Sequence, residues 1–175
     1  MDANPLRWSF RARCLAGFAA CAALIAFALY GQFQLGLLPC PLCIFQRVAF
    51  AALGLVFLAA GLHAPASVGA RRAWGVLALL AAAAGAAIAA RHVWLQHLPP
   101  DQVPSCGPGL DWLMQTMPVA GVLREVFTGS GECASVDWTF LALSMPEWSL
   151  AWFVLLALWV VATMFPAPSV HGVRR

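Results

Sequence analysis

The chain has 175 residues, of which 62% are hydrophobic and only 10% charged. A soluble domain carries about 25% charged residues, so the composition excludes a large water-facing globule and implies a membrane protein. Ten arginines, no lysine and seven acids leave a net charge of +3, with no basic stripe interleaved with aromatics of the kind that tracks nucleic acid.

Four apolar segments follow in chain order, approximately residues 14–30, 44–62, 73–90 and 148–165. Each is near the ~20 residues needed to cross the hydrocarbon core. Lipid offers the backbone no hydrogen-bond partners, so each is expected to be an α-helix. Arg7, Arg11 and Arg13 precede the first segment, which contains Cys14 and Cys21; cysteines inside a span read as small apolar fillers. A basic start before an apolar stretch also fits a signal peptide, and Phe18-Ala19-Ala20-Cys21 loosely resembles a lipoprotein processing site. The stretch runs well past Cys21, and cleavage would leave an odd number of spans, so a retained helix is the reading. Arg71 and Arg72 join the second and third segments, and Arg174 and Arg175 end the chain. The third segment is crowded with alanine around Gly85, and small residues let helix backbones approach closely. The expectation is an all-α membrane protein: a single integral domain over residues 1–175 built as a four-helix bundle.

Arginine placement orients it. With four spans, the clusters at both termini and between helices 2 and 3 share one side, which the positive-inside rule makes cytoplasmic. The opposite side holds loops at approximately 31–43 and 93–147, facing the oxidising compartment. The longer loop carries Arg124 and six of the seven acids: Asp101, Asp111, Glu125, Glu132, Asp137 and Glu147. It is punctuated by Pro99-Pro100, Pro104, Gly107-Pro108-Gly109, Gly129 and Gly131. Between these, Leu110 to Phe127 shows an apolar face interrupted by Pro118. That pattern predicts one or two short amphipathic helices on the membrane surface, or a loop folded over the helix ends. Trp94, Trp112, Trp138 and Trp148 fit an interfacial aromatic belt and receive no binding role.

The remaining four cysteines carry the chemistry. Cys40-Pro41-Leu42-Cys43 is a C-x-x-C pair at the mouth of the second span, with Arg47 one turn on. Two intervening residues let the sulfurs close a small disulfide ring or share a metal. With Cys43 in the first turn of a helix, the helix N-terminus, its free backbone N–H groups and the i+4 guanidinium of Arg47 all favour the thiolate. Arg47 also reads as an arginine snorkelling to the interface. Cys106 and Cys133 share the long loop, where pairing them fits either a structural staple or an exchangeable disulfide. His92 stands at the outer end of helix 3; if helices 2 and 3 pack together, it reaches the depth of Arg47, and the two could bracket a membrane-soluble carbonyl compound. His63, His97 and His171 carry no specific signal.

Cys40-Pro41-Leu42-Cys43-Ile44-Phe45-Gln46-Arg47 resembles the C-x-x-C-x-x-x-R segment of the bacterial disulfide-bond-formation protein B (DsbB) family. Ser130-Gly131-Glu132-Cys133-Ala134, with Trp138 and Met145-Pro146-Glu147-Trp148, resembles the stretch leading that family into its fourth helix. The resemblance implies a thiol:quinone oxidoreductase of the bacterial inner membrane that regenerates a periplasmic thioredoxin-fold (DsbA-like) thiol oxidase, the system that keeps the periplasm oxidising. It implies cytoplasmic termini, periplasmic cysteine loops and electron transfer to membrane ubiquinone, with menaquinone possible. Carried over, Cys106 would form the mixed disulfide with the partner and Cys133 would be its loop mate. Cys40 would exchange with that pair, and Cys43 would face the quinone, with Arg47 and His92 at the quinone site. Pro41 lacks an N–H and sets this pair's poise apart from members with another residue there.

Three rivals remain. Zinc modules usually bring two close cysteine pairs, and this chain has one, so no metal is expected. A scaffold with staple disulfides would resist reduction by a dithiol partner. A quinone reductase resembling the vitamin K epoxide reductase family also has a C-x-x-C in a helical bundle, but with a different order of elements.

Overall fold

A computed structural model of the chain describes residues 8–105, 107, 110–136 and 138–165. Cys106, Asp137, Pro108, Gly109 and the terminal Arg7, Arg174 and Arg175 lie outside the described residues. Among the described residues, four helices are long and apolar enough to cross a membrane: α1 (Phe10–Gln34), α2 (Pro41–His63), α3 (Val68–Gln96) and α7 (Met145–Met164). They coincide with the four apolar segments and extend beyond most of their ends, because local capping rather than hydropathy sets where a helix starts. Ser9 and Ser67 accept the N–H of Ala12 and Ala70 at the starts of α1 and α3. Pro41 opens α2, where its missing N–H is no loss. Before α7, the Ser144 N–H donates to Glu147 Oε2 at 2.6 Å, half of the reciprocal capping box.

The helices pack in sequence, α1 on α2, α2 on α3 and α3 on α7, with α1 also touching α7. Phe57, Leu53, Phe153 and Val160 are fully buried at the centre. Small residues let the backbones close. A Cβ on Gly54 would meet Cys21 Cβ at 3.1 Å, so Cys21 is a packing residue at the α1–α2 seam. At the α3–α7 seam the missing Cβ of Gly85 is occupied by the Phe153 ring, which would lie 2.2 Å from it.

The 93–147 region folds over the helix ends on the side that carries Cys40. After a 3-10 turn at Pro100–Gln102 come α4 (Leu110–Thr116), α5 (Val119–Thr128) and α6 (Gly131–Ala134), then a hairpin of β1 (Thr139–Phe140) and β2 (Leu143–Ser144). Pro118 separates α4 from α5 and stands at the α5 N-cap. Part of the apolar face of these short helices turns inward: Leu113, Val122 and Val126 are buried in a second core with Leu42, Ile88 and Leu95, while Met114, Leu123 and Phe127 stay exposed. At about 1.5–3 kcal/mol per buried aliphatic side chain, this cluster supplies much of what holds the cap down. Arg91 adds a polar clamp, donating from Nε to the Phe127 carbonyl at 3.1 Å and from Nη2 to that of Thr128 at 2.9 Å, where the end of α5 presents unpaired carbonyls.

Gly85→Ala is expected to destabilise the solubilised protein by about 1–3 kcal/mol through overpacking, read as a lowered unfolding midpoint. Gly69→Ala, where nothing stands within 4 Å of the added Cβ, should leave the midpoint unchanged. Equal behaviour of the two variants would contradict the tight α3–α7 seam.

Candidate functional site

The site is built around the first residue before α2. Cys40 is the N-cap: its Sγ accepts the Cys43 N–H at 3.4 Å, the task usually given to a serine or aspartate oxygen. The helix geometry then returns Cys43 to the same spot, and the Cys40 thiol lies 3.1 Å from Cys43 Sγ. Cys133, carried by α6, is buried at 1% exposure and packs with Cys40 and Leu42. Three thiols thus gather at the start of α2, with Cys40 close to Cys43 and interacting with Cys133.

Electrostatics follow from that grouping. Hydrogen bonding by the Cys40 thiol pulls Cys133 down to about 6 against burial, which opposes it; the Leu42 backbone and Ser130 assist. Cys40 is pushed the other way, because its hydrogen bonds to Cys133 and Cys43, together with burial, hold its proton. Cys40 therefore keeps its proton, while Cys133 is drawn towards its thiolate.

Two cavities adjoin Cys43. The larger, of about 300 Å³, is lined by Cys43, Gln46, Arg47, Phe50, Trp138, Phe140, Trp148 and Trp152 together with α1 residues that include Phe27 and Ala28. Cys43 and Arg47 therefore share one wall. The Arg47 guanidinium is held by α1, donating to Gln32 Oε1 and, at 3.2 Å, to the Ala28 carbonyl. The hairpin brings Phe140 to the rim through a two-residue turn in which Leu141 and Ala142 both have positive φ, 51° and 64°. Such turns favour Asn-Gly, and ordinary residues there cost about 1–3 kcal/mol each. The Phe140 carbonyl accepts from Trp148 Nε1 at 3.0 Å, tying the hairpin to α7.

His92 is 2% exposed and stands behind Cys40, outside the lining of the larger cavity. Its Nε2 is 3.7 Å from Cys40 Sγ, and its Nδ1 is 3.0 Å from Nε2 of the buried Gln46. It lines the smaller cavity, of about 70 Å³, with Cys40, Cys43, Arg47 and Glu132. The structure therefore brings together Cys40, Cys43, Cys133, Arg47 and His92, while Cys106 lies outside the described residues. Cys14 and Cys21 are buried in the bundle core, apart from this group.

Sequence reasoning missed Gln46, although a glutamine inside an apolar helix, three residues after Cys43, was a signal for a buried polar partner. It also gave Trp138 and Trp148 to the membrane interface, whereas both line the larger cavity.

The profile of the family described as "Disulfide bond formation protein DsbB" matches residues 10–163. The chain belongs to the disulfide bond formation protein B family. It is 57% identical over 164 residues to disulfide bond formation protein B of Xanthomonas oryzae pv. oryzae, covering 94% of this chain and 95% of that protein. The namesake in Xanthomonas euvesicatoria pv. vesicatoria is 56% identical over 170 residues, 96% and 99% of the two chains. That of Xylella fastidiosa is 54% identical over 155 residues, 89% and 90%. Membership gives the chain a redox role in disulfide formation as a multi-pass membrane protein.

The thiolate absorbance contributed by Cys133, taken as the difference between reduced protein and Cys133→Ser, is expected to titrate with a midpoint of about 6. The charged form then dominates at neutral pH. Cys40→Ala removes the hydrogen bond and should return the midpoint towards the ordinary 9.0. A midpoint near that ordinary value with Cys40 present would sink the three-thiol cluster.

Proposed function

We propose that the chain is a thiol:quinone oxidoreductase that reoxidises a thioredoxin-fold thiol oxidase and passes the electrons to membrane quinone, supporting protein disulfide formation. The observation that carries this reading is the place of Cys40, 3.1 Å from Cys43 and in one buried cluster with Cys133, while Cys43 opens onto an apolar cavity. A thiol close to both neighbours can exchange a disulfide with either without leaving its position, and exchange needs a thiolate in line with a sulfur.

The relay balances as follows. A thiolate of the partner attacks Cys106 in a Cys106–Cys133 disulfide, forming a partner–Cys106 mixed disulfide and freeing the Cys133 thiolate; the partner's second thiol, deprotonated, attacks its own sulfur in that mixed disulfide, so that the oxidised partner leaves and the Cys106 thiolate is released. The Cys133 thiolate attacks Cys40 in a Cys40–Cys43 disulfide, forming Cys40–Cys133 and freeing the Cys43 thiolate. Attack by the Cys106 thiolate on Cys133 restores the loop disulfide and returns Cys40 as a thiolate. The Cys40–Cys43 pair then closes again as two electrons leave it. Two protons accompany them, so one partner dithiol and one quinone become one disulfide and one quinol.

The quinone supplies the two-electron acceptor when bound. The larger cavity suits it in size and character, since small-molecule pockets span about 300–1,000 Å³ with mainly apolar walls and few polar groups. Arg47 would hold a carbonyl oxygen and stabilise the negative charge that develops there, and Phe50, Trp138 and Trp148 would flank the ring. Ubiquinone is the proposed acceptor, with menaquinone the alternative. The proposed setting is the bacterial inner membrane, with cytoplasmic termini and the cysteine loops in the periplasm, where the arginine clusters are retained on the inner side.

The test is optical quinone reduction by the purified protein with a reduced thioredoxin-fold donor. Cys43→Ser is expected to abolish turnover, and Arg47→Ala to lower kcat roughly 10²–10³-fold, the usual cost of a lost charge-stabilising donor. Cys14→Ala and Cys21→Ala should retain activity. No turnover with either quinone in folded wild-type protein would remove the reading.

A further inference from the structure

The same cluster that closes a disulfide has a second chemistry open to it. Cys40 Sγ, Cys43 Sγ and a ring nitrogen of His92 lie within 4.8 Å of one another. Cys40 and His92 are buried, and Cys43 is partly so. Two cysteines and one histidine with an open fourth position are a zinc ligand set. We propose that Cys40, Cys43 and His92 form a binding site for a zinc-class divalent cation, available only while the two cysteines are reduced.

Geometry supports this on three counts. With zinc–sulfur bonds of ~2.3 Å and zinc–nitrogen bonds of ~2.0–2.1 Å, tetrahedral ligands stand about 3.5–3.8 Å apart. Cys40 Sγ and His92 Nε2 are already 3.7 Å apart. The sulfurs, at 3.1 Å, are closer than that spacing, so metal binding opens the pair whereas oxidation closes it; the two uses exclude each other.

The second count is the support behind the histidine. Metal-bound imidazoles almost always have their other nitrogen held by a hydrogen bond, and loss of that partner weakens binding about 10–100-fold. The Gln46 amide stands 3.0 Å from Nδ1 by its nitrogen; turning the amide over presents its oxygen to an Nδ1–H and leaves the His92 Nε2 lone pair free for the metal. The third count is room. The 70 Å³ cavity bordered by all three ligands is larger than the space one water needs, so the fourth position can be filled by solvent. Arg47 also borders this cavity, but its guanidinium is engaged by Gln32 and Ala28 on α1.

Charge and atoms balance without a redox partner. One divalent cation balances the two cysteine thiolates, giving a neutral site suited to burial. A bound metal would occupy both sulfurs and halt electron flow; that consequence rests on the thiol-to-quinone reading, while the binding itself does not.

The experiment uses full-length protein carrying Cys106→Ser and Cys133→Ser, reduced with a phosphine and titrated with Co²⁺, which is then displaced by Zn²⁺. One cobalt per chain is expected, with tetrahedral ligand-field bands and thiolate-to-cobalt charge transfer. The oxidised protein should take up none. His92→Ala and Gln46→Leu should each weaken Zn²⁺ at least about 10-fold in competition with a chromophoric chelator. Unchanged affinity in both variants would mean chelation by the dithiol alone and overturn the site, as would the absence of charge-transfer bands or equal uptake by oxidised protein. No donor or quinone is present, so failure here and failure of the relay are separate results.

Discussion

The structure depends on delivering a cysteine from a water-facing loop into contact with the first turn of a membrane helix. Cys133 is as buried as the bundle core, yet it comes from a region rich in proline, glycine and acid. Such a segment has a large conformational entropy to lose. What opposes that loss is a small apolar cluster between α4, α5 and the ends of α2 and α3. Without it, Cys40 would still cap its helix, but it would have one sulfur neighbour instead of two.

The C-terminal end of α3 organises much of this arrangement. Within six residues it presents Arg91 to the last carbonyls of α5, His92 to Cys40 and Gln46, Leu95 to the second core and Gln96 to Ser144. Leu95 also fills the space that a side chain at Gly129 would need, and Gly129 has a positive φ of 87°. Both constraints demand glycine at the exit of α5. A helix that stopped at the membrane surface would leave each of these groups without support.

Much of this was legible in the sequence. The four spans follow from runs of apolar residues, because lipid tolerates little else, and the two turns around Pro118 follow from a residue that ends one helix and can begin another. Cys43 and Arg47 fall on one wall of a cavity because i and i+4 positions share a helix face. The hairpin was not legible: Leu141 and Ala142 carry none of the chemistry that marks a tight turn, and their conformation is imposed by tertiary contacts. The aromatic wall was missed for a related reason. Tryptophans near a membrane surface have an adequate explanation in the interface itself, and only the fold distinguishes Trp138 and Trp148, at the cavity, from Trp112, on the exposed α4. The adjacency of Cys133 to Cys40 depends on long-range packing, which spacing along the chain does not encode.

The seam between α3 and α7 has a reach beyond its own helices. Phe153 occupies the hollow at Gly85 and stacks on Phe50, with ring centroids 3.9 Å apart and planes 8° from parallel. Phe50 is in turn part of the cavity floor. A residue with no side chain thereby sets the height of a surface two rings away. The bundle transmits the girth of one helix into the shape of a pocket formed by others, so natural drift at a small, chemically silent position is a route by which the pocket's selectivity can be retuned with every polar group left in place.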